Sequence, residues 1–534
     1  MSSKLAEKII LKIVKEKKIL SETLFWKKIR KICSQEKQPP ISKVDLLTAY
    51  RSLLRKKQIK ENKTLEFFLR RRKVRTISGV AVISVLTKPY PCPGKCVYCP
   101  LENEIPKSYL SNEPAVMRAI LNKFNPYNQV QSRLRSLYKT GHPTDKIELI
   151  VMGGTWSVLP KQYQTWFIKR CFQAANDFPK SKKTSELQKQ SLEKAQKINE
   201  KAKHRIIGLT LETRPDYITE KEVKRMRKFG CTRVELGIQS LDNKILKLNK
   251  RGHGTKEIIK ATQLLKDAGF KICYHLMPNL PGSSPKKDLE TFKKLFQQPE
   301  YQPDMLKIYP TVVIKGSQLY NWWKKGLYKS YSQKTLLELL IKIKQIIPPY
   351  VRINRLIRDI PAPSIEEGNK ISNLREVVQK EMTKRGLKCS CIRCREIRGE
   401  KFSFQNIRFK QIIYPASQGK EYFISYEDVK QDKLLAFLRL RFPSQKTNPL
   451  FPELNNASLV RELHTYGFLV PLGKENIKSA QHLGLGRKLM EKAEKISQKN
   501  GYKKIAVISG IGVREYYRKL GYRLEGYYMV KNLK

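Results

Sequence analysis

Three cysteines dominate the chemistry open to this sequence. They lie in Pro91-Cys92-Pro93-Gly94-Lys95-Cys96-Val97-Tyr98-Cys99. The spacing C-x-x-x-C-x-x-C, with an aromatic before the last thiol, bends into a loop that can wrap one metal cluster. Three thiolates satisfy three irons of a 4Fe–4S cube and leave the fourth iron open to an outside ligand. A cluster that only carries electrons would normally take a fourth cysteine. None follows within 70 residues of Cys99; the next is Cys171. The competing reading is a zinc knuckle, which needs a fourth Cys or His close by.

A second trio, Cys389, Cys391 and Cys394, has the spacing C-x-C-x-x-C. Three thiolates suit zinc and leave one position unfilled locally. A distant His or Cys must complete a structural site, and His464 is one candidate. Three free buried cysteines are the alternative. Near the C-terminus, Gln481-His482-Leu483-Gly484-Leu485-Gly486-Arg487 opens an amphipathic helix (Leu489, Met490, Ala493, Ile496). The two glycines let backbone N–H groups approach a pyrophosphate, and the helix N-terminus adds a favourable dipole. A strand precedes this stretch. Another follows, with Tyr516-Tyr517-Arg518-Lys519-Leu520-Gly521-Tyr522 after it. That order is the acetyl-CoA loop of GNAT-type acetyltransferases. The first cysteine loop is, by the same kind of spacing, the signature of radical S-adenosylmethionine enzymes.

These residues need a scaffold. Apolar, β-branched runs at 80–86, 147–152, 206–211, 233–238, 271–276 and 305–309 read as strands separated by helical stretches, the first of these at 114–137. Repeated strand–helix alternation predicts parallel βαβ units and an α/β barrel, partial and TIM-like, with the chemistry at the C-terminal strand ends. The cysteine loop, Gly153-Gly154, Glu212, Gln239 and His275 all fall there. Residues 178–204, dense in Lys and Glu, read as a solvent-facing helical excursion. Antiparallel strands are expected at 404–414, 421–425, 434–442 and 458–470. The expected domains are a basic helical segment (1–75), the barrel (76–370), a cysteine-bearing linker with the zinc site (371–400) and a GNAT α+β domain (401–534).

With 534 residues, 40% of them hydrophobic, the chain can bury several cores. Lys and Arg outnumber Asp and Glu by 108 to 47, a formal charge of +61. Part of that is a general lysine bias; the rest points to a polyanion, nucleic acid first. The run Arg70-Arg71-Arg72-Lys73-Val74-Arg75 is a candidate phosphate-binding edge. No apolar run approaches the ~20 residues of a membrane span. A signal-peptide pattern is missing, and ten cysteines, six in two tight clusters, suit metal ligation in a reducing cytoplasm.

Over roughly residues 65–534 the chain resembles the catalytic subunit of Elongator, the tRNA wobble-uridine modifying enzyme. The matches include Val151-Met152-Gly153-Gly154-Thr155, Leu211-Glu212-Thr213-Arg214-Pro215-Asp216 and Glu235-Leu236-Gly237-Ile238-Gln239-Ser240. Arg251-Gly252-His253, Met277-Pro278-Asn279-Leu280-Pro281-Gly282, Arg358-Asp359-Ile360-Pro361 and Arg461-Glu462-Leu463-His464-Thr465-Tyr466-Gly467 extend them. The resemblance implies that Cys92, Cys96 and Cys99 hold a 4Fe–4S cluster. It implies that Gly153, Gly154, Glu212, Arg214 and Gln239 line the S-adenosylmethionine pocket. Lys146, Glu462, Leu463, His464, Thr465, Gln481, Gly484, Leu485, Gly486, Arg487 and Tyr517 would serve acetyl-CoA, with Lys146, Tyr516 and Tyr517 as the catalytic candidates.

The implied reaction joins both domains. A 5′-deoxyadenosyl radical would take hydrogen from the methyl of acetyl-CoA, and the resulting carbon radical would add to carbon 5 of the wobble uridine. Thioester hydrolysis would leave 5-carboxymethyluridine. The implied partner is tRNA, through the unstacked bases of its anticodon loop, with a homodimer or accessory subunits left open. Two rivals are a protein or amine N-acetyltransferase with a structural iron–sulfur cluster and a non-catalytic tRNA-binding scaffold. Relatives usually carry His after the first Cys-Pro and Gly-Gly after the third Cys-x. Here Gly94 and Leu101-Glu102 stand in those places, which leaves the cysteines intact and alters the loop around them.

Overall fold

Short apolar strands, each followed by a helix, can pair only in parallel, because the chain must cross back before the next strand. Seven of them do so here: β1 (Ala81–Leu86), β2 (Lys146–Met152), β3 (Arg205–Thr213), β4 (Arg233–Gln239), β5 (Lys271–Leu276), β6 (Met305–Ile308) and β7 (Arg352–Arg355). Their spatial order is their sequence order, all parallel, with β1 and β7 as the two edges. The result is an open barrel. The computed structural model describes residues 2–15, 21–71, 76, 78–398, 400, 402–444, 449–466 and 484–533. Among them, no helix is long and apolar enough to cross a membrane.

Four N-terminal helices, Ser2–Lys15, Glu22–Gln35, Lys43–Arg55 and Lys63–Leu69, bury their own core around Ile9, Ile13, Phe25, Leu46 and Leu53. Ser21, Ser42 and Asn62 cap the last three by accepting from the backbone N–H of Leu24, Asp45 and Leu65. Of the basic run, Arg70 donates from Nε to the Gly141 carbonyl at 3.0 Å. Its guanidinium therefore helps tie these helices to the barrel. Residues 72–75 lie outside the described residues.

The C-terminal half is a second seven-stranded sheet: β8 (Ile407–Ala416), β9 (Gly419–Asp428), β10 (Lys433–Phe442), β11 (Ala457–Thr465), β12 (Lys504–Val507), β13 (Arg523–Glu525) and β14 (Tyr528–Asn532). Its order is β13-β14-β12-β11-β10-β9-β8, antiparallel except for β11 with β12. Those two pair only from Ala457 to Val460 on β11. Beyond that point β11 keeps β10 as its partner, so the backbone of Glu462–Thr465 loses its neighbour on the β12 side. The helix Leu485–Lys499 begins beside that gap.

Several sequence expectations shift. The stretch 114–137 is two helices, Pro114–Leu121 and Pro126–Lys139, because Asn125 caps a new start with Pro126 at its first position. Residues 404–406 form a single 3₁₀ turn ahead of β8. The strand expected at 458–470 is described only to Thr465. β7 was not anticipated, since Arg352-Ile353-Asn354-Arg355 contains no apolar run. The excursion at 178–204 is not wholly solvent-facing. Its helix Leu192–Asn199 buries Leu192, Ala195 and Asn199. Glu200 then receives Arg514 at 2.9 Å and Arg518 at 2.7 Å from the C-terminal domain.

The two sheets share one apolar core, and the C-terminal sheet docks on the strand-start end of the barrel. A Cβ on Gly510 would collide with the carbonyl of Ile207, and one on Gly512 would sit 2.9 Å from that of Ile206. Both glycines are therefore there for domain contact. Beside them lies a fully buried charge network. Arg461 reaches Asp304 at 2.5 Å and Glu421 at 2.9 Å; Lys266 lies 3.9 Å from Asp304 and 3.6 Å from Glu421. Arg439 approaches Asp304 at 3.6 Å. Asp304 and Lys266 come from the barrel, and the arginines and Glu421 from the C-terminal sheet.

Candidate functional site

Side chains alternate faces along a strand. On β2 this puts Lys146, Glu148, Ile150 and Met152 on one side; on β4, Arg233, Glu235, Gly237 and Gln239. All eight line a cavity of about 1410 Å³. Closed barrels fill such inward positions with branched apolar residues. This open one lines them with charges that neutralise each other along the lumen. Glu148 pairs with Arg233, and Glu235 with Lys307. His275 bridges two carboxylates, with Nε2 at 2.8 Å from Glu235 and Nδ1 at 3.4 Å from Glu212. Burial would raise the Glu235 carboxyl, but Lys307, His275 and Arg233 hold it well below the usual range. Glu235, Cys273 and His275 bring ligand atoms within 4.8 Å of one another. With two cations already on Glu235, that triple is an ion-pair network and offers no net charge to a metal.

At the strand-end side of the cavity stands the cysteine loop. A Cβ on Gly94 would lie 3.5 Å from Cys96 Sγ, 3.6 Å from Cys92 Sγ and 2.6 Å from Arg214 Nη1. The missing side chain makes room for the Arg214 guanidinium against the loop. Arg251 donates to Cys96 Sγ at 3.1 Å. A hydrogen bond from the Cys99 thiol, together with that guanidinium, outweighs burial and draws the Cys96 thiol down to about 4. A thiol so shifted is a ready metal ligand. Three thiols on one loop, with Cys92 and Cys96 both beside Gly94 and Cys99 beside Cys96, fit three irons of a 4Fe–4S cluster. Cys96→Ala is expected to lose most of the iron after anaerobic reconstitution, as measured by iron content per chain; full iron retention would remove this ligand set.

The residues expected around that loop converge on it. Gly153 and Gly154 both take left-handed φ, 122° and 58°. A side chain on Gly153 would strike Thr87, whereas nothing lies within 4 Å of a Cβ on Gly154, so its backbone is open to a ligand in the cavity. Gln239, with φ of 69°, is strained for a non-glycine residue, and its Oε1 is buried without a partner among the described residues. Glu212 borders the cavity beside His275. Arg214 is braced by Asp216 at 3.0 and 2.8 Å, which turns its guanidinium toward Gly94. An unpartnered amide, an open glycine backbone and fixed charges suit a zwitterionic ligand such as the methionine part of S-adenosylmethionine.

The other end of the same cavity belongs to the C-terminal sheet. Lys146 opens β2 there, and burial lowers its pKa. Leu463, His464, Thr465, Gly484, Gly486, Arg487, Tyr516 and Tyr517 line it. Glu462 does too, but its carboxylate is paired with Arg439 at 2.9 Å and Lys271 at 3.7 Å; its backbone is what remains for a ligand. Gly484, at φ 63°, caps the helix Leu485–Lys499 with no side chain in the way. A Cβ on Gly486 would come 2.9 Å from the Tyr516 hydroxyl. Exposed N–H groups at a helix start, cleared by two glycines, fit a pyrophosphate. Tyr517 is buried and packs edge-on to Tyr516, ring centres 5.2 Å apart. Gln481 lies outside the described residues.

Cys389, Cys391 and Cys394 bring their sulfurs within 4.8 Å of one another. Hydrogen bonds from the other two thiols draw Cys391 well below the usual thiol range. His464 does not join them; its ring lies 4.3 Å from that of Tyr466 and stacks on Phe437. The trio sits where the chain leaves β7 for the second sheet. Ile392 N donates to the Val351 carbonyl at 2.9 Å, and Glu396 bridges to Leu434 of β10. This segment staples the two domains.

Sequence reading assigned no role to Arg251, Glu235 or Lys307. Glu235 and Lys307 carried a signal as charged residues inside apolar strands, as in Arg233-x-Glu235, whereas Arg251, in the turn between two helices, carried none. Alternation of that kind marks a polar lumen.

Residues 90–295 match the Radical SAM superfamily, 303–384 the Radical_SAM C-terminal domain and 393–522 the Acetyltransferase (GNAT) family. The tRNA uridine(34) acetyltransferase of Methanocaldococcus infernus is 48% identical over 558 residues, covering 100% of both chains. Human Elongator complex protein 3 is 41% identical over 483 residues, 87% of this chain and 86% of that one. A solved structure of the archaeal M. infernus Elp3 with an N-terminal deletion superposes with a TM-score of 0.74 at 48% identity, covering 86% of this chain and 100% of that one. Barrel, GNAT sheet and their order along the chain are thus shared with proteins matched nearly end to end, and this chain is a radical-SAM/GNAT enzyme of the Elongator complex protein 3 family.

Proposed function

We propose that this enzyme modifies the wobble uridine of tRNA at carbon 5, using acetyl-CoA as carbon source and leaving 5-carboxymethyluridine. The observation that carries this reading is the single cavity bordered by both the cysteine loop and the acetyl-CoA end. Two independent active sites would not need a common lumen.

In this reading Cys92, Cys96 and Cys99 hold a 4Fe–4S cluster. Bound together, the reduced cluster and S-adenosylmethionine supply radical chemistry able to take hydrogen from a methyl group. The chain's own residues do the rest. Gly154 and Gln239 offer backbone and amide contacts, while Glu212 and Arg214 set opposite charges beside them. Gly484, Leu485, Gly486 and Arg487 receive the pyrophosphate of acetyl-CoA, and the open backbone of Leu463–Thr465 receives its arm. Lys146, Tyr516 and Tyr517 face the thioester, where the Tyr517 hydroxyl can donate to its carbonyl oxygen. The paired charges of the lumen keep the cavity open and polar without leaving a buried ion uncompensated. We assign a structural zinc to Cys389, Cys391 and Cys394, supported by the convergence of three sulfurs on one point. The net charge of +61 supports tRNA as the polyanion, and the reduced thiols a cytoplasmic setting.

Methyl-labelled acetyl-CoA tests the reading. Label is expected in tRNA uridine and not in protein lysines. Label on protein alone would make this an N-acetyltransferase with a structural cluster.

A further inference from the structure

Arg251 is a buried guanidinium that pairs with no carboxylate. It stands in the turn between the helices Asn243–Leu248 and Thr255–Asp267 and is 5% exposed. It donates to Cys96 Sγ at 3.1 Å, to the Gly237 carbonyl and to His253 Nε2 at 3.1 Å. A guanidinium has donors only, so the His253 ring accepts and brings no negative charge. Arg251 Nε is buried with no partner among the described residues. The ionisable groups that oppose its charge are Tyr98, Cys96 and Cys99. A phenol is neutral at pH 7, which leaves the thiols and whatever they hold.

The other cations beside the loop differ. Arg214 is paired with Asp216 at 2.8 Å, and Arg358 faces Glu113 at 3.5 Å. Lys107 donates to the Gly94 carbonyl at 2.6 Å and is half-buried, so solvent screens it. Of these four, Arg251 is the one both buried and uncompensated. It is also fixed in place. Its own N–H donates to the Leu246 carbonyl at 3.0 Å, and Val97 N of the cysteine loop donates to the Asn249 carbonyl at 3.3 Å. The Asn249 side chain donates to the carbonyls of Ile245 and Pro281 at 2.8 and 2.9 Å. On β4, a Cβ on Gly237 would lie 3.4 Å from Arg251 Nη2, so the glycine leaves the guanidinium its space.

Burying a charge is costly unless it is paired. The anion that answers Arg251 is the one the three thiols are built to hold. We propose that Arg251 is the counter-ion of the 4Fe–4S cluster and raises its reduction potential. One electron gained adds one negative charge beside a fixed, buried positive one, so the reduced form is favoured. Net charge, hydrogen bonds to the sulfurs and solvent exposure set such potentials, and Arg251 acts on the first two. No proton moves, because a guanidinium keeps its charge at any working pH. The proposal rests on the assignment of Cys92, Cys96 and Cys99 as cluster ligands.

The test compares iron-loaded, full-length wild type with Arg251→Gln and Arg251→Lys. Redox titration, read by the electron paramagnetic resonance of the reduced cluster, gives each potential. Arg251→Gln removes the charge. Its ratio of reduced to oxidised cluster at a fixed solution potential should fall at least tenfold, about 59 mV for one electron. Arg251→Lys keeps the charge and should recover most of that loss. A Gln variant at the wild-type potential overturns the proposal, and so does a Lys variant as low as the Gln one. Should the Gln variant hold no cluster, a second measurement decides. Electron–nuclear double resonance on protein grown with isotope-labelled arginine should show a guanidinium nitrogen coupled to the reduced cluster in wild type and lost in Arg251→Lys. No coupling in wild type, or an equal one in the Lys variant, overturns the proposal. A wild-type chain that binds no iron fails the cluster assignment itself, and this proposal with it.

Discussion

Gly486→Trp is expected to abolish tRNA modification while leaving the iron content unchanged. Gly486 is the second residue of the helix Leu485–Lys499, where backbone N–H groups have no helical partner. A Cβ there would already be 2.9 Å from the Tyr516 hydroxyl. Tyr516 is 40% exposed, so it can swing aside and the helix can still form. The indole would then occupy the path of the pyrophosphate. Losing that contact should cost at least about 3 kcal/mol, roughly a hundredfold in rate. Tyr517→Phe is the gentler companion. It removes one hydroxyl and keeps the ring, so packing survives, and loss of a hydrogen bond of ~1–3 kcal/mol predicts a reaction slower by about fivefold to 150-fold. The measurement is 5-carboxymethyluridine formed per iron-loaded enzyme. Parent-level product from Gly486→Trp would mean that the acetyl group does not enter through this domain, and the coupled mechanism would be wrong.

Asp304→Ala should produce the largest loss of stability. Asp304 is fully buried just ahead of β6 and faces Arg461, Arg439 and Lys266, which are also fully buried. Removing the carboxylate leaves these cations facing only Glu421 and Glu462. Breaking a buried pair in this way costs about 3–5 kcal/mol, and the loss falls on the interface that holds the two domains together. Denaturant titration reads it out. The pH dependence has a definite sign. Burial would raise the Asp304 carboxyl, but Arg461, Lys266 and Arg439 hold it far below its ordinary value. Its stabilisation is therefore fully present above the unfolded-state pKa of about 4. It is lost as pH falls from there toward the folded-state value. The gap between wild type and Asp304→Ala should narrow below about pH 4. A variant as stable as wild type at pH 7 would mean that the network adds nothing net.

Two local features were decisive in the sequence. The first was thiol spacing: Cys92, Cys96 and Cys99 lie within eight residues, so one loop brings them together whatever the fold around it. The second was glycine. Gly153, Gly154 and Gly484 take left-handed φ that other residues resist, so their placement at strand and helix ends was legible before any tertiary contact. The apolar, β-branched runs carried six of the seven barrel strands, since the face packed against the helices writes itself as apolar composition. β7 was missed because its four residues are held by β6 and not by their own pattern.

Tertiary structure alone decided which charges meet. Arg251 reaches Cys96 across 155 positions, and Arg461 reaches Asp304 across 157; no local rule links such pairs. It also decided the purpose of Gly510 and Gly512. In space they let the second domain close on the backbone of β3. The hollow lumen is the clearest case. Strands such as β2 and β4 state only that charges alternate with apolar residues over their first half. Whether that face meets solvent, a packed core or a shared cavity depends on how seven strands curve together, and on the second domain standing across their starting ends.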